Sequence, residues 1–246
     1  MNQYIHAKFV SMLSKLRKII DVLMNQQRWT RVDRYFSNFL LANDSALEAV
    51  LEASIVAGLP ALNVSPLQGK LLMILARMLH ARRILEIGTL GGYSTIWLAR
   101  ALPPGGSVMT LEAEQKYAEV ARANFRRAGF DTAIELRVGA ALDSLPKIAL
   151  ENRGPFDLIF VDADKRNNPS YLTWALKLSR PGSVIVIDNV VRQGAIVDPS
   201  LGDPTLEGVK RMNEMIAAEP RLDATAIQTV GIKGYDGFII AVVTAE

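Results

Sequence analysis

Two short polar clusters carry the residues best suited to chemistry in this 246-residue chain. They are Asp162-Ala163-Asp164-Lys165 and, further along, Asp188-Asn189. Each follows a run of apolar, β-branched residues, so each stands at the end of a buried strand. Asp162, Asp188 and Asn189 offer three oxygen donors. The chain has no cysteine, and neither of its two histidines is near these positions. Such a site is hard, and suits Mg²⁺, Mn²⁺ or Ca²⁺. Asp and Asn after strands also cap helices, and the spacing leaves both readings open. Lys165 lies three residues past Asp162. A lysine beside a metal and away from bulk water can work as a base; the alternative is a surface lysine paired with Asp164.

A third cluster lies upstream. Residues 82–94 run Arg-Arg-Ile-Leu-Glu-Ile-Gly-Thr-Leu-Gly-Gly-Tyr-Ser, which reads as strand, glycine turn and helix. Gly88 allows the chain to leave the strand sharply, and Gly91 and Gly92 permit close approach of a ligand or helix. The dinucleotide fingerprint G-x-G-x-x-G is not met, because position 90 is leucine. Glu86 just before the turn repels a pyrophosphate and suits a cation. A cosubstrate with an amino group and a sulfonium fits, and S-adenosylmethionine is one; the alternative is that Glu86 only caps the turn. Glu112 ends the next strand, where an acid commonly accepts hydrogen bonds from ribose hydroxyls. Gly139-Ala140-Ala141 after the third strand is small enough for an adenine ring to lie against.

These positions require an α/β scaffold. From residue 82 the pattern alternates strand and helix, which predicts a parallel sheet with helices on both faces. Strands are expected at 83–87, 107–112, 133–138, 156–161 and 183–187, with helices at 94–102, 114–128, 140–150, 168–178 and 204–218. The runs 224–232 and 237–243, with Gly-Tyr-Asp-Gly at 234–237 between them, predict an antiparallel hairpin closing the sheet. Upstream, apolar spacing over 4–24 predicts an amphipathic helix. Residues 31–58 predict two more helices, the second capped by Asp44. Ser65-Pro66 opens a helix running to His80. The expected fold is α/β, Rossmann-like and doubly wound: a mostly parallel seven-stranded sheet, an antiparallel C-terminal hairpin and N-terminal cover helices. The expected division is a helical extension over 1–30 and the main domain over 31–246, with Met24 a second candidate start.

Charge argues against nucleic acid as partner. Residues 1–34 carry a balance of +5 while the whole chain is +3, so the remainder is mildly acidic. A basic stripe on the domain is not visible. No apolar run is long enough to span a bilayer, and no secretory signal is recognisable. A cytoplasmic protein is expected. A Ser-His-Asp hydrolase is disfavoured because no G-x-S-x-G occurs.

Leu-Glu-Ile-Gly-Thr-Leu-Gly-Gly-Tyr-Ser at 85–94, Phe-Asp-Leu-Ile-Phe-Val-Asp-Ala-Asp-Lys at 156–165 and Val-Ile-Asp-Asn-Val at 186–190 resemble the cation-dependent S-adenosylmethionine O-methyltransferases. This is the caffeoyl-coenzyme A and catechol O-methyltransferase group, in its bacterial branch, and the resemblance covers roughly residues 35–243. It implies metal ligands at Asp162, Asp188 and Asn189, and Lys165 as base. It implies cosubstrate contacts at Val64, Glu86, Gly88, Thr89, Ser94, Glu112, Ala141 and Asp164, with Tyr171 nearby. It also implies a homodimer. Asn168 departs from the pattern, standing where many members have tyrosine, and Ser183 replaces a usual glycine. The expected activity is metal-dependent methyl transfer from S-adenosylmethionine to a hydroxyl of a small aromatic diol. An RNA methyltransferase, and a nucleotide-fold oxidoreductase or binding protein without methyl transfer, are the alternatives.

Overall fold

The computed structural model describes Lys8, residues 23–199 and residues 202–245. The amphipathic stretch 4–24 falls largely outside these. Seven strands form one sheet in the order β3-β2-β1-β4-β5-β7-β6. They are β1 Arg83–Ile87, β2 Ser107–Glu112, β3 Ile134–Val138, β4 Leu158–Val161, β5 Val184–Asp188, β6 Leu222–Gly231 and β7 Gly234–Val243. All neighbours run parallel except β7, which is antiparallel to both β5 and β6. This is the expected Rossmann-like, doubly wound sheet with an antiparallel C-terminal pair.

Period-two alternation divides the core. Ile84, Val108, Leu158 and Phe160 face the helices on one side with Leu72, Ile96 and Phe125. Leu85, Ile87, Met109 and Ile159 face the other side with Leu145, Leu172 and Val209. Strands buried on both faces in this way read as continuous apolar runs. The helices are α1 (residues 23–40), α2 Ser45–Val56, α3 Pro66–Met78, α4 Tyr93–Ala99, α5 Gln115–Arg127, α6 Ala141–Leu150, α7 Asn168–Lys177 and α8 Pro204–Ala218. Asp44 caps α2 through the Leu47 amide, and Ser65 caps α3 with Pro66 in its first turn.

Two expectations change. The first helix predicted within 31–58 begins upstream, so that 23–40 is one helix. The hairpin turn is Ile232-Lys233, not 234–237: Gly231 pairs with Gly234, and Tyr235, Asp236 and Gly237 are already in β7. The turn-like signature has another use. Asp236 Oδ1 accepts from the amides of Val191 at 3.1 Å and Arg192 at 3.0 Å, holding the loop after β5. A side chain at Gly237 would meet the Ile227 carbonyl at 2.3 Å.

Candidate active site

The strand order reverses direction between β1 and β4, and such a switch point opens a crevice at the carboxyl ends of the strands. The glycine turn fills one side of it. Gly88 has φ +104°, and a Cβ there would lie 2.1 Å from the Asp162 carbonyl, so the turn passes directly against the end of β4. Leu90, at the position where the dinucleotide fingerprint has glycine, is itself left-handed at φ 51°. Its amide donates to Glu112 Oε2 at 2.7 Å, and the Thr89 amide donates to the same oxygen at 3.2 Å. Glu112 Oε1 accepts from the Glu114 amide at 3.0 Å. The acid at the end of β2 thus clasps the turn with Oε2 and holds its own following loop with Oε1. Gly91 and Gly92 admit protein, not open space: side chains there would meet Ser54 and Phe125.

Glu86 lies behind this turn with no exposed surface. Its Oε1 accepts from Ser94 at 2.7 Å, and its Oε2 from Thr95 at 2.5 Å and Thr110 at 2.6 Å. Burial raises its pKa to about 7, with the three hydroxyls opposing the rise. Thr89 is buried and shares a hydrogen bond with Thr110. Val64, buried, ends the loop before α3, and Ala141 opens α6.

The two polar clusters meet at the ends of β4 and β5, which pair in register from Leu158–Val184 to Val161–Ile187. Lys165, only 7% exposed, donates to Asp162 Oδ1 at 2.7 Å. It is therefore not the surface lysine paired with Asp164. Asp164 instead accepts from Tyr171 Oη at 2.5 Å and Asn167 at 2.6 Å, and Tyr171 is raised well above its ordinary pKa, by burial first and by Asp164 second. Asp188 is buried. Its Oδ2 accepts from Gln68 Nε2 at 2.8 Å and its Oδ1 from the Asn189 amide at 2.8 Å. Burial, and then the charge of Asp162, push Asp188 up to about 7. Asn189 has a left-handed backbone, φ 58°. Among the described residues none of Asp162, Asp188 and Asn189 caps a helix through its side chain.

A cavity of about 220 Å³ opens beside Gln68, lined also by Asp33, Ser65, Leu71, Lys233 and Phe238. A larger one, about 770 Å³, lies between α8 and β6 and contains none of the clusters above.

Comparison with known proteins bears on this arrangement. An O-methyltransferase family model matches residues 39–241. The chain belongs to the O-methyltransferase family. It is 49% identical over 220 residues to a catechol O-methyltransferase of Niastella koreensis, covering 89% of this chain and all of the relative. An O-methyltransferase of Bacillus cereus, solved in complex with SAH, superposes with a TM-score of 0.88 at 58% identity, over 89% of this chain and 100% of that one. The O-methyltransferase TomG of Streptomyces achromogenes, involved in tomaymycin synthesis and solved with SAM, gives 0.87 at 54%, over 89% and 99%. The protein is an S-adenosylmethionine-dependent O-methyltransferase.

Two residues of this methyltransferase site escaped the sequence reading. Gln68 stands three residues after the Ser65 cap, where a glutamine normally bonds back to the cap residue; here its side chain crosses to Asp188. Lys233 sits in the hairpin turn, which pattern alone set elsewhere. Asn168, the departure at a position often tyrosine, is fully buried with no hydrogen-bond partner for its side chain among the described residues, so it presents no surface to an acceptor.

Proposed function

We propose that the enzyme transfers the methyl group to one hydroxyl of a small catechol-type acceptor, with a divalent metal. The observation that carries this reading is the convergence of Asp162, Lys165 and Asp188 beside the glycine turn. The donor set fits a hard ion: two carboxylates, Asp162 raising the pKa of Asp188, and the amide oxygen of Asn189, with no sulfur or imidazole among them. Asp162, Asp188 and Asn189 would hold the ion. A bound Mg²⁺, Mn²⁺ or Ca²⁺ supplies Lewis acidity that lowers the pKa of the acceptor hydroxyl.

The remaining work belongs to the chain. Lys165 is the residue that accepts the hydroxyl proton. The acceptor oxygen attacks the methyl carbon in line with the departing sulfur, so an O–C bond forms and an S–C bond breaks. The glycine turn, Val64, Ser94 and Ala141 enclose the cosubstrate, and Glu86, without exposed surface, holds the Ser94 hydroxyl from behind the turn. Glu112 Oε1 accepts one hydrogen bond and keeps a lone pair for the ribose, and Asp164 with Tyr171 borders the same crevice. Holding both reactants in a near-attack arrangement can supply several kcal/mol of barrier lowering. Support for the acceptor class comes from the 49% identical relative named catechol O-methyltransferase.

The test is a labelled-methyl transfer screen over catechols, acyl-coenzyme A esters and RNA, with and without EDTA. Catechols should be methylated only when Mg²⁺ or Mn²⁺ is present. Full turnover in EDTA, or transfer to RNA alone, would refute the reading.

A further inference from the structure

We propose that Lys233 is the specificity-determining residue of the acceptor site, selecting catechol-type acceptors that carry an anionic substituent, a carboxylate above all. The inference rests on the catechol reading above and deepens it.

The topology puts Lys233 there. Because β7 is antiparallel to β5, its first residues lie beyond the end of β5, and Asp188, the last residue of β5, pairs with Phe238. Phe238 is four positions past Gly234, so the hairpin tip overhangs Asp188 by roughly 13 Å of strand. Lys233 is in that tip, and lines the cavity that has Gln68, the partner of Asp188, in its wall. Leu67, Leu71 and Phe238 give this cavity apolar surface of the kind an aromatic ring covers.

Charge decides the class of substituent. The cavity has two charged lining residues, Lys233 and Asp33. Asp33 is committed to the protein: its Oδ2 accepts from the Ile232 amide at 2.7 Å. Lys233 is not committed to an anion. Among the described residues its ammonium is in no ion pair, and its hydrogen-bond partner is the neutral Ala61 carbonyl at 2.6 Å. Partial desolvation lowers its pKa, with the charge of Asp162 opposing. A carboxylate on the far side of the ring replaces a neutral carbonyl with a full charge as the partner of Lys233. In a partly desolvated site such a pair is stronger than in bulk water.

Calorimetry on the full-length protein with SAH and Mg²⁺ tests this, using 3,4-dihydroxybenzoate, 3,4-dihydroxytoluene and 3,4-dihydroxyphenethylamine as probes. The wild type should bind the benzoate about fivefold more tightly than the toluene, the scale of a partly screened ion pair. Lys233→Met should bring that ratio close to one, Lys233→Glu should invert it, and Lys233→Arg should retain it. A ratio unchanged in Lys233→Met, or tightest wild-type binding of the amine, would overturn the proposal. Methyl transfer is scored separately: Lys233-dependent binding of the benzoate without its methylation upholds the charge selection and rejects the reaction assigned above.

Discussion

Lys165 Nζ lies 2.7 Å from Asp162 Oδ1 in a nearly closed setting. If it is the base, Lys165→Ala lowers kcat by roughly 10²–10⁴-fold while leaving S-adenosylmethionine affinity nearly intact. Lys165→Arg does not rescue, because a guanidinium cannot accept a proton at working pH. Substantial rescue by Arg, with the pH–rate profile preserved, would reduce Lys165 to a positive charge. Glu112 clasps the turn, and in the proposed site it also faces the ribose. Glu112→Ala should therefore weaken S-adenosylmethionine binding by about 1.5–3 kcal/mol and lower Tm as well; calorimetry at wild-type affinity would remove the ribose role. Glu86 makes a pH prediction. Its folded pKa is about 7 against an ordinary 4.5. Between those values the folded state keeps a proton that the unfolded state has released, so stability falls as pH rises through that window. The loss approaches about 3 kcal/mol. Melting curves for the ligand-free protein from pH 4.5 to 7.5 should show this slope; Asp188, also pushed up to about 7, contributes in the same window, so Glu86→Gln should reduce the slope and not abolish it.

At the scale of elements, the turn after β1 and the hairpin after β6 position the site. Gly88→Ala forces a side chain into the Asp162 carbonyl at 2.1 Å with φ at +104°. It should cost several kcal/mol or prevent folding; a Tm within 2–3 °C of wild type, roughly 1 kcal/mol, would contradict that contact. The strands were readable because buried parallel strands are apolar on both faces, as in Val184–Asp188, and because β2 and β5 end on the acids Glu112 and Asp188 while Asp162 follows β4. The hairpin tip was not, since Asp236 and Gly237 have turn chemistry spent on a neighbouring loop and on close packing. Glu86 and Glu112 stood out from position as candidate site acids, but the hydroxyls on Glu86 and the turn amides on Glu112 come from other elements and leave no local signal. Helix α1 completes the frame: Gln26 donates to the Gly231 carbonyl at 2.9 Å, and Asp33 accepts from Ile232. Both contacts lie after Met24. We propose that the extension before it is peripheral, so a protein starting at Met24 should fold and bind S-adenosylmethionine. Insolubility of that protein would place the missing residues in the core.

At the scale of the molecule, the surface carries more apolar area on one helix than a solvated helix needs. Tyr35, Phe36, Phe39 and Leu40 of α1 are 59%, 47%, 72% and 58% exposed, and Tyr35 contacts both phenylalanine rings. Clustered exposed apolar residues mark contact surfaces. The other unpaired feature is β6, an exposed ten-residue edge strand whose single charged residue is Asp223; edges of this length are usually covered or charged. We propose a homodimer with α1 at its contact. Sedimentation velocity at micromolar concentration should give a dimer, and Phe39→Glu should shift it to monomer, whereas Ile227→Lys on β6 should not. A monomeric wild type would reject the dimer, and dissociation by Ile227→Lys alone would move the contact to the sheet edge. Because α1 grips the hairpin tip through Gln26 and Asp33, and the tip carries Lys233 over the acceptor cavity, dissociation has a functional signature. The monomeric variant should lose affinity for the acceptor while its S-adenosylmethionine affinity, set by the turn after β1 and by Glu112 on the far side of β4, stays unchanged.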